Sequence, residues 1–451
     1  MGQSYDIAVI GGGVVGLAIL RRFAMSGLRC VLLERGADIL SGASKGNSAL
    51  LHTGFDAPEA SLELACMQAG YAEYLTIRDK LNLPLLESSA LVVAWTDEEV
   101  EKLPAIVDKA HANGVADVRQ IGQAELRIRE PELSRRAAAA AAVPGEHVID
   151  PWSAPLAYAH QALAHGARIM RNAEVTRGTF AHGEWRLTAA EHSVCARVVV
   201  NAAGNFGDRV ERLVREPPFG IRPRRGQFVV FDKPASKLVK AIILPVPTER
   251  TKGVVLFRTI FGNLAIGPTA EDVEEREVAA CDQRSLETLK ARAIEMLPPL
   301  SDIGVNAIYG GLRPATEHKD YVIEALTGQN WITVAGIRST GLTAALGIAQ
   351  HVAHLYVTQL GDLPDPPAPI WTPVANLAEH RPRPYQQGGD MICHCEWVTR
   401  EEISAALTGP LPATDMAGLK RRTRATMGRC QGFYCSAKVS TLLREAGHGA
   451  A

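Results

Sequence analysis

Residues 6–35, DIAVIGGGVVGLAILRRFAMSGLRCVLLER, decide the fold of this chain. The apolar run at 6–10 ends in glycines and predicts a buried parallel strand. Residues 14–26 have helical spacing and stop before Gly27, and residues 29–33 form a second apolar run. Strand, glycine turn, helix and strand in this order predict a βαβ unit whose helix begins beside a bound phosphate group.

The glycines and one acid indicate which nucleotide this unit binds. Gly11, Gly13 and Gly16 fill the pattern G-x-G-x-x-G. In this pattern the first glycine permits a tight turn, the second lets the backbone approach a pyrophosphate, and the third lets the helix pack close to the strand. Glu34 follows Gly13 by 21 residues, close to the roughly 20 expected for a carboxylate that binds a ribose hydroxyl. An acid here favours FAD or NAD over NADP. The alternative to a nucleotide-binding unit is a glycine-rich turn in another kind of α/β protein.

A second glycine-bearing loop lies far along the chain. Residues 336–342, GIRSTGL, follow an apolar run and open a predicted helix at 343–359. The N-terminus of that helix would stabilise negative charge on a reduced isoalloxazine ring. NAD has no group that needs this second loop, so the sequence favours FAD. The residues predicted to contact FAD are Gly11, Gly13, Val14, Val15, Gly16, Glu34, Arg35, Ser44, Asn47, Ser48, Val175, Ala203, Gly204, Gly336, Arg338, Ser339, Thr340, Gly341, Leu342 and Thr343.

The composition is that of an ordinary globular protein, with 451 residues, 47% apolar residues, 22% charged residues and a net charge of −1. This length predicts two or three domains. The near-zero charge gives no reason to expect nucleic acid or an anionic membrane as a partner, and no stretch reaches the roughly 18 apolar residues of a transmembrane segment. Because the first strand starts by residue 6 and leaves no room for a signal peptide, we expect a cytoplasmic protein.

Four stretches indicate the remaining organisation. Residues 222–300 alternate in period two, which predicts an antiparallel sheet. The alanine run at 137–142 predicts a packed or flexible connector. The motif YGGLRPAT predicts a glycine-flanked turn that carries Arg313 and returns the chain to the cofactor domain. A proline-rich linker is expected at 361–390.

Four of the eight cysteines cluster near the end of the chain. Cys393-x-Cys395 and Cys430-x4-Cys435 are separated by 34 residues. Four thiolates suit either zinc or an iron–sulfur cluster. Structural zinc prefers C-x2-C pairs, and neither pair has that spacing. The pattern therefore favours a [2Fe-2S] cluster, with zinc or vestigial thiols as alternatives.

Seven motifs together resemble the D-amino-acid-oxidase-like superfamily of FAD enzymes. They are DIAVIGGGVVGLAILRRF, NSALLHTGFDA, VVVNAAGNFGD, PRRGQFVVFDK, GNLAIGPTAED, YGGLRPAT and GIRSTGLTAALGIA, and they span residues 5–350. Within the superfamily, the chain looks like the branch of glycerol-3-phosphate dehydrogenase and L-2-hydroxyglutarate dehydrogenase. The C-terminal pattern ICHCEWVTREEI…RCQGFYC resembles the [2Fe-2S] domain of the bacterioferritin-associated-ferredoxin type.

The motifs and the resemblance together predict an α/β fold with three parts. These are a Rossmann-type FAD-binding domain, an antiparallel-sheet substrate domain and a small C-terminal helical [2Fe-2S] domain. The expected bounds are 1–82, 143–215 and 305–360 for the discontinuous FAD-binding domain, 83–142 and 216–304 for the substrate domain, 361–390 for the linker, and 391–451 for the [2Fe-2S] domain.

The resemblance also implies four candidate catalytic residues. It places His52 in a loop along the flavin, where an imidazole suits the removal of a hydroxyl proton; a histidine that bonds only cofactor or backbone is the alternative. Arg313 matches a position that often clamps a substrate carboxylate or phosphate, with a structural ion pair as the alternative. Many relatives have a Pro-Thr pair just before the GN-L motif, whereas this chain has Phe257-Arg258-Thr259 there. Arg258 is therefore a second candidate to bind the same substrate anion. Tyr309 is a candidate hydrogen-bond donor.

These features predict an FAD-dependent dehydrogenase that oxidises a CH–OH group of a small anionic substrate, either a 2-hydroxy acid or a polyol phosphate such as glycerol 3-phosphate. Electrons would pass from FAD to the [2Fe-2S] cluster and then to an external acceptor. That acceptor is expected to be a redox partner protein or subunit in a hetero-oligomer, through which the chain would reach a membrane surface. The alternatives are a CH–NH dehydrogenase of an amino acid, imino acid or opine, and a non-catalytic electron-transfer subunit.

Overall fold

The computed structural model describes residues 4–247, 253–379 and 390–448. The helices in these residues are Val14–Met25 (α1), Leu62–Leu81 (α2), Asp97–Ala112 (α3), Gln123–Arg129 (α4), Ser153–Ala164 (α5), Gly207–Glu211 (α6), Gln283–Met296 (α7), Gly341–Gln359 (α8), Arg400–Thr408 (α9), Met416–Thr423 (α10) and Ser436–Glu445 (α11).

The strands of the same residues form two large sheets and two small ones. They are Ser4–Ile10 (β1), Cys30–Leu33 (β2), Leu50–Leu51 (β3), Leu85–Glu87 (β4), Ala90–Ala94 (β5), Arg119–Gly122 (β6), Ala139–Val143 (β7), His147–Ile149 (β8), Arg168–Met170 (β9), Val175–Ala181 (β10), Glu184–Ala189 (β11), His192–Asn201 (β12), Arg224–Phe231 (β13), Ile242–Pro245 (β14), Val255–Arg258 (β15), Leu264–Gly267 (β16), Glu271–Asp272 (β17), Val305–Arg313 (β18), Val322–Leu326 (β19), Trp331–Ala335 (β20), Met391–Cys393 (β21) and Val398–Thr399 (β22).

The first large sheet confirms the βαβ unit predicted from residues 6–35. Its order is β10-β11-β12-β1-β2-β9, and β20 pairs with β12 while β19 pairs with β20. The strands β12, β1, β2, β9 and β20 run parallel. Helices α1, α2, α5 and α8 share one apolar core with one face of this sheet. A second core, which includes Ala8, Val31 and Trp185, covers the other face, so the parallel strands are buried on both sides.

Helices α2 and α8 pack with their backbones in contact, and this fixes the beginning of α8. A Cβ atom at Gly70 would lie 2.1 Å from the carbonyl oxygen of Thr343, and one at Gly347 would lie 2.1 Å from that of Cys66. Only glycine allows so close an approach at these two positions. These contacts fix the position of the second glycine-bearing loop, which leads into α8, relative to α2.

The second large sheet has nine strands in the order β17-β13-β16-β15-β14-β5-β7-β6, with β18 also paired to β13. Most pairs are antiparallel, as the alternating pattern predicts. One pair departs from that prediction, because β14 runs parallel to β5. The sheet is therefore mixed, with β5, β6 and β7 supplied by an earlier part of the chain.

The prediction of a connector at the alanine run is wrong. Residues 139–143 form β7, which pairs with both β5 and β6. Its side chains alternate between two apolar cores, with Ala140 and Ala142 in one and Ala139 and Ala141 in the other. Alanine has low strand propensity, but its small side chain fits a strand that is covered on both faces.

The prediction of a turn at YGGLRPAT is also wrong. Residues 305–313 are the strand β18, which pairs antiparallel with β13 so that Arg313 lies opposite Arg224. This strand therefore belongs to the second sheet, and the chain returns to the first sheet only at β19. Glycine at position 311 lets the backbone of β18 lie close to the backbone of Gly46, because a Cβ atom at Gly311 would be 2.1 Å from the Gly46 carbonyl oxygen.

The C-terminal unit consists of β21, β22 and helices α9, α10 and α11 around its own small apolar core. Before it, residues 361–379 form neither helix nor strand. The motifs RPRP and QQGG of the predicted linker lie outside the described residues. Within the described ranges, no helix combines the length and the apolar character needed to cross a bilayer.

A buried carboxylate joins this unit to the first sheet. Asp38, in the loop after β2, is fully buried. Arg422 Nη2 donates to Asp38 Oδ1 at 2.8 Å and its Nη1 bonds the other oxygen, and Arg171 Nη1 lies 3.6 Å from the same carboxylate. Because a buried charge is tolerated only when it is paired, these contacts fix the C-terminal unit against the nucleotide-binding sheet.

The same unit also contacts the second sheet. Lys233 Nζ lies 3.3 Å from Glu396, next to Cys395, and Arg429 Nε lies 3.1 Å from Asp232. The C-terminal unit thus rests on both large sheets.

Candidate functional site

A cavity of about 580 Å³ lies between the carboxyl ends of the first sheet and strands β13 and β18 of the second. Its volume is within the usual range for a cofactor or small-molecule site. Of the residues predicted to contact FAD, those in its wall are Gly11, Gly13, Val14, Val15, Glu34, Arg35, Ser44, Asn47, Ser48, Val175, Ala203, Gly204, Gly336, Arg338, Ser339, Gly341 and Leu342.

The other three residues predicted to contact FAD support this wall from behind. A Cβ atom at Gly16 would lie 1.9 Å from the carbonyl oxygen of Gly11, so Gly16 serves helix packing. Thr340 Oγ1 donates to Glu63 at 2.8 Å. Thr343 Oγ1 accepts from the His52 backbone N–H at 3.1 Å.

The cavity wall fits a pyrophosphate at Gly13. Within 4 Å, a Cβ atom there would meet only the Ser44 hydroxyl, at 3.2 Å, among the described residues. Protein packing therefore does not demand glycine at this position, whereas a ligand that touches the backbone does. The Val14 N–H, at the start of α1, lies beside this space and bonds Ser44 Oγ at 3.0 Å.

Glu34 has the orientation expected of a ribose-binding acid. Its Oε2 accepts from the Gly12 N–H at 2.7 Å, and its Oε1 accepts from the Gly36 N–H at 2.7 Å. Each carboxylate oxygen can accept a further bond, so both remain able to receive a sugar hydroxyl. The two backbone bonds hold the carboxylate in the cavity wall.

His52 is paired with a carboxylate that no sequence pattern predicts. Strands β3 and β8 run antiparallel, and Leu51 lies opposite His147. His52 follows Leu51 and Glu146 precedes His147, so these two residues come together just past the end of the paired strands. His52 Nδ1 lies 2.8 Å from Glu146 Oε2, and Glu146 is fully buried. A carboxylate only accepts hydrogen bonds, so Nδ1 carries the proton and Nε2 holds the lone pair of the neutral ring.

The remaining bonds of Glu146 hold that carboxylate in place. Its Oε1 accepts from the Thr53 backbone N–H at 2.6 Å and from the Thr53 hydroxyl at 2.8 Å. The His52 backbone N–H is bonded to Thr343 at the beginning of α8. Glu146 therefore orients the imidazole, and the bond to Thr343 anchors the His52 backbone at the beginning of α8.

Arg313 lies in the cavity wall with part of its guanidinium already bonded. Its Nε donates to the carbonyl of Arg224 at 3.2 Å, and its Nη2 donates to those of Arg225 at 3.3 Å and Thr269 at 2.8 Å. Burial lowers the pKa of Arg313 to about 10, so the group stays charged at neutral pH. An anion-binding role for Arg313 would rest on Nη1, which takes no part in these three bonds.

Tyr309 and Arg258 are held by the protein in ways that sequence did not reveal. The Tyr309 hydroxyl donates to the carbonyl of Asn47 at 2.9 Å, and its ring stacks on Phe228 with centroids 4.5 Å apart. Tyr309 therefore holds the cofactor loop. Arg258 follows Phe257, which packs in the core that contains Tyr309, so alternation along β15 turns Arg258 to the opposite face of the sheet.

On that face Arg258 is close to a different carboxylate. Burial raises the pKa of Glu130, and backbone hydrogen bonds and the Arg258 charge act against that rise. Of the four candidate catalytic residues, only Arg313 is in the wall of the cavity. His52 follows the loop at 44–48 that lines the cavity, Tyr309 bonds that loop at Asn47, and Arg258 lies on the opposite face of the second sheet.

The four clustered cysteines fit a two-iron cluster. Burial and the neighbouring thiols of Cys430 and Cys393 raise the pKa of Cys395, and burial and the neighbouring thiols of Cys393 and Cys430 raise the pKa of Cys435, so the four thiols lie near one another. Each iron of a [2Fe-2S] cluster takes two thiolates.

The backbone around the cysteines also suits a cluster. Hydrogen bonds from backbone N–H groups, that of Tyr434 first, lower the pKa of Cys430 and favour its thiolate. A Cβ atom at Gly428 would lie 2.3 Å from the Cβ of Cys395, so the two cysteine-bearing loops approach closely only because of this glycine.

A series of side-chain contacts leads from the cysteines to the cofactor cavity. Glu396 accepts from Arg424 Nε at 2.9 Å. The Arg424 guanidinium lies 3.7 Å from the centroid of Phe261, whose ring stacks on Trp152 at 6.0 Å. Trp152 Nε1 donates to the carbonyl of Lys45 at 3.4 Å, and Lys45 is part of the cavity wall.

Comparison with known proteins agrees with this geometry. The sequence profile of the FAD dependent oxidoreductase family matches residues 6–355, so the chain belongs to that family. The profile of the BFD-like [2Fe-2S] binding domain matches residues 391–445. FAD and a [2Fe-2S] cluster are therefore the cofactors of this chain, and the C-terminal unit is the cluster-binding part.

Three relatives within this family are similar to the chain over most of its length. A glycerol 3-phosphate dehydrogenase of Caloramator mitchellensis is 30% identical over 98% of this chain and 95% of its own length. One subunit of the anaerobic glycerol-3-phosphate dehydrogenase of Escherichia coli strain K12 is 24% identical over 98% of this chain and 88% of its own length. The structure of dithionite-reduced L-alpha-glycerophosphate oxidase from Mycoplasma pneumoniae with FAD bound superposes with a TM-score of 0.76 at 25% identity, over 82% of this chain and 98% of that one.

Gly13→Val should abolish FAD binding and leave the fold intact, because the added side chain fills the space beside the N-terminus of α1. The measurement is flavin released per chain on denaturation, with circular dichroism as the check of folding. Gly122→Val is the matched control, since a Cβ atom at Gly122 meets nothing within 4 Å. Normal flavin content in Gly13→Val would show that the pyrophosphate does not lie at this glycine.

Cys430→Ser should remove the cluster and keep FAD, because the described cavity wall comes from residues 10–342 and none of it from the C-terminal unit. Iron and acid-labile sulfide analysis should fall from two of each per chain in the wild type. Cys195→Ser, at a cysteine outside the cluster, is the control. Loss of flavin together with iron would mean that the cavity depends on the cluster-binding unit for its shape.

Proposed function

We propose that this chain is an FAD-dependent dehydrogenase that oxidises the CH–OH group of a polyol phosphate, with glycerol 3-phosphate as the leading candidate, and passes the electrons through its [2Fe-2S] cluster to an external acceptor. The observation that carries the proposal is the oriented His52–Glu146 pair, at 2.8 Å, beside the beginning of α8. A relative that matches 98% of this chain has the same activity in its name.

The proton of the substrate hydroxyl goes to His52 Nε2. Glu146 keeps the imidazole in the tautomer whose lone pair is on Nε2, and its negative charge stabilises the imidazolium that forms. Because Glu146 is buried and already accepts two bonds from Thr53, it holds its position while the ring changes charge. FAD, when bound, would supply the acceptor for the hydride that leaves the carbon bearing that hydroxyl.

The anionic group of the substrate would be bound by Arg313. A guanidinium is suited to phosphate and carboxylate oxygens, and burial strengthens a charge-assisted bond. Three backbone carbonyls fix the orientation of this side chain before any substrate arrives. A 2-hydroxy acid is the second candidate, because a carboxylate could take the place of the phosphate at the same guanidinium.

Glycerol 3-phosphate should bleach the flavin under anaerobic conditions, whereas glycerol should not, because it lacks the anion. In Arg313→Ala the concentration of glycerol 3-phosphate needed for half-maximal reduction rate should rise on the order of 30-fold or more, as expected for loss of a charge-assisted contact worth about 2–5 kcal/mol. The readout is flavin absorbance in stopped flow without external acceptor. The exposed Arg212→Ala is the control.

The same screen decides between the substrate classes. Bleaching by a 2-hydroxy acid alone would move the assignment to that class, and bleaching by an amino acid alone would contradict oxidation of CH–OH. An unchanged half-maximal concentration in Arg313→Ala would exclude this residue as the anion-binding group.

His52→Ala should lower the maximal rate of flavin reduction by roughly 10²–10⁴, because it removes the general base. The fall in rate at acidic pH, where a protonated imidazole cannot accept a proton, should disappear in the variant. Glu146→Gln should give a smaller loss at nearly unchanged substrate affinity, since an amide orients the ring without stabilising its charge. His192→Ala, on the surface, is the control, and a wild-type rate in His52→Ala would exclude His52 as the base.

A further inference from the structure

The loop between two of the cluster cysteines carries two unusually exposed aromatic side chains. Phe433 is 81% exposed and Tyr434 is 78% exposed. The two rings contact each other edge to face, with centroids 5.1 Å apart. Exposing two adjacent aromatic rings to water costs free energy, whereas single exposed apolar residues are common on protein surfaces. A contiguous apolar patch of this kind marks an interaction site.

The backbone of this loop faces the cysteines, and its aromatic side chains face outward. The Phe433 N–H bonds the carbonyl of Cys430 at 3.0 Å, and the Cys435 N–H bonds the carbonyl of Gly432 at 3.1 Å. Trp397, two residues after Cys395, is 39% exposed as well. The two rings therefore project from the short loop that joins Cys430 to Cys435, and Tyr434 is the residue next to Cys435.

The other side of the C-terminal unit is already occupied within this chain. Arg422 holds it to the buried carboxylate of Asp38, and Glu396 is paired with Lys233 of the second sheet. These contacts fix the unit in one orientation. Phe433 and Tyr434 remain at the surface in that orientation, as their exposure shows.

The charged side chains in the sequence segment of the patch are basic. Lys438 is exposed, Arg429 is exposed beside Asp232 at 3.1 Å, and residues 425–440 contain no Asp or Glu. A partner with an acidic rim around an apolar centre would match this surface in charge as well as in character. Opposite charges at a rim mainly steer the encounter, while buried aromatic residues at the centre contribute most of the affinity.

We propose that Phe433 and Tyr434 form the docking site of a small acidic electron-carrier protein that takes electrons from the cluster. The proposal deepens the proposed dehydrogenase function, on which it rests for the source of the electrons. In each transfer the reduced cluster loses one electron and the oxidised carrier gains one, so two carriers are needed for each two-electron oxidation of substrate. No bond is formed and no proton moves in this step.

The test uses the holoprotein and a plant-type [2Fe-2S] ferredoxin as an acidic one-electron probe. Binding is measured by surface plasmon resonance, and transfer by stopped flow from protein reduced beforehand with dithionite, so neither reading depends on the physiological substrate. The wild type should bind saturably, with an affinity that falls as salt is added. The double variant F433S/Y434S should weaken binding by about tenfold or more, and Lys438→Glu should weaken it chiefly at low salt.

The cluster and the flavin site must remain intact in these variants for the result to count. Iron content, the paramagnetic signal of the reduced cluster and flavin bleaching by glycerol 3-phosphate should all match the wild type. The double variant I128S/V278S, which removes exposed apolar residues elsewhere, should bind the probe normally.

Two results would overturn the proposal: no saturable binding by the wild type, or equal affinity of the wild type and F433S/Y434S. A wild-type dimer in sedimentation that F433S/Y434S dissociates would also overturn it, by assigning the patch to a second copy of this chain. Failure of glycerol 3-phosphate to bleach the wild-type flavin would contradict the proposed function alone, because the docking test uses chemically reduced protein.

Discussion

The fold depends on how closely helix α1 approaches strand β1. A Cβ atom at Gly16 would lie 1.9 Å from the carbonyl oxygen of Gly11, and one at Gly11 would lie 2.4 Å from that of Ala202. The turn between β1 and α1 is thus enclosed by backbone on two sides, and the free N–H groups of α1 open onto the cavity. The same device recurs where the second sheet meets the cofactor loop, at Gly46 and Gly311. Each backbone contact of this kind removes side chains from the path of a long, flat cofactor.

A second constraint fixes the position of the cluster-binding unit. Asp38 is buried, and its charge is compensated by Arg422 from α10 together with Arg171. Removing one partner of a buried ion pair typically lowers the free energy of unfolding by about 3–5 kcal/mol, because the remaining charge is buried without compensation. The proline-rich segment predicted as a linker therefore does not make the C-terminal unit independent. Electron transfer between the cofactors benefits from this, since their separation is set by the fold.

Local features could be predicted from the sequence, and contacts between distant segments could not. The first βαβ unit, the strand Trp331–Ala335 and the spacing within each cysteine motif all follow from short-range patterns. Glu146 pairs with His52 across 94 positions, and no local pattern near either residue indicates the other. The strand β7 escaped prediction because alanine is a poor strand former and the burial of both its faces is a tertiary effect.

Two candidate residues mark the limit of prediction from sequence. The alternation of β15 implies that Arg258 and Phe257 face opposite ways, but only the packing of Phe257 in the core that contains Tyr309 shows which face carries Arg258. The direction of Tyr309 could not be inferred in that way, because the motif around it was interpreted as a turn. Its hydroxyl bonds Asn47 across the boundary between the two large sheets, a contact that depends on the whole arrangement.

The central claim is that electrons from the substrate reach the cysteine-bound cluster through the flavin of the same chain. Electron paramagnetic resonance of the anaerobic holoprotein, frozen at intervals after addition of limiting glycerol 3-phosphate, tests this claim most directly. We expect the signal of a reduced [2Fe-2S] cluster to grow as electrons leave the flavin, without any external carrier. A flavin that bleaches completely while the cluster stays oxidised and silent would contradict the claim.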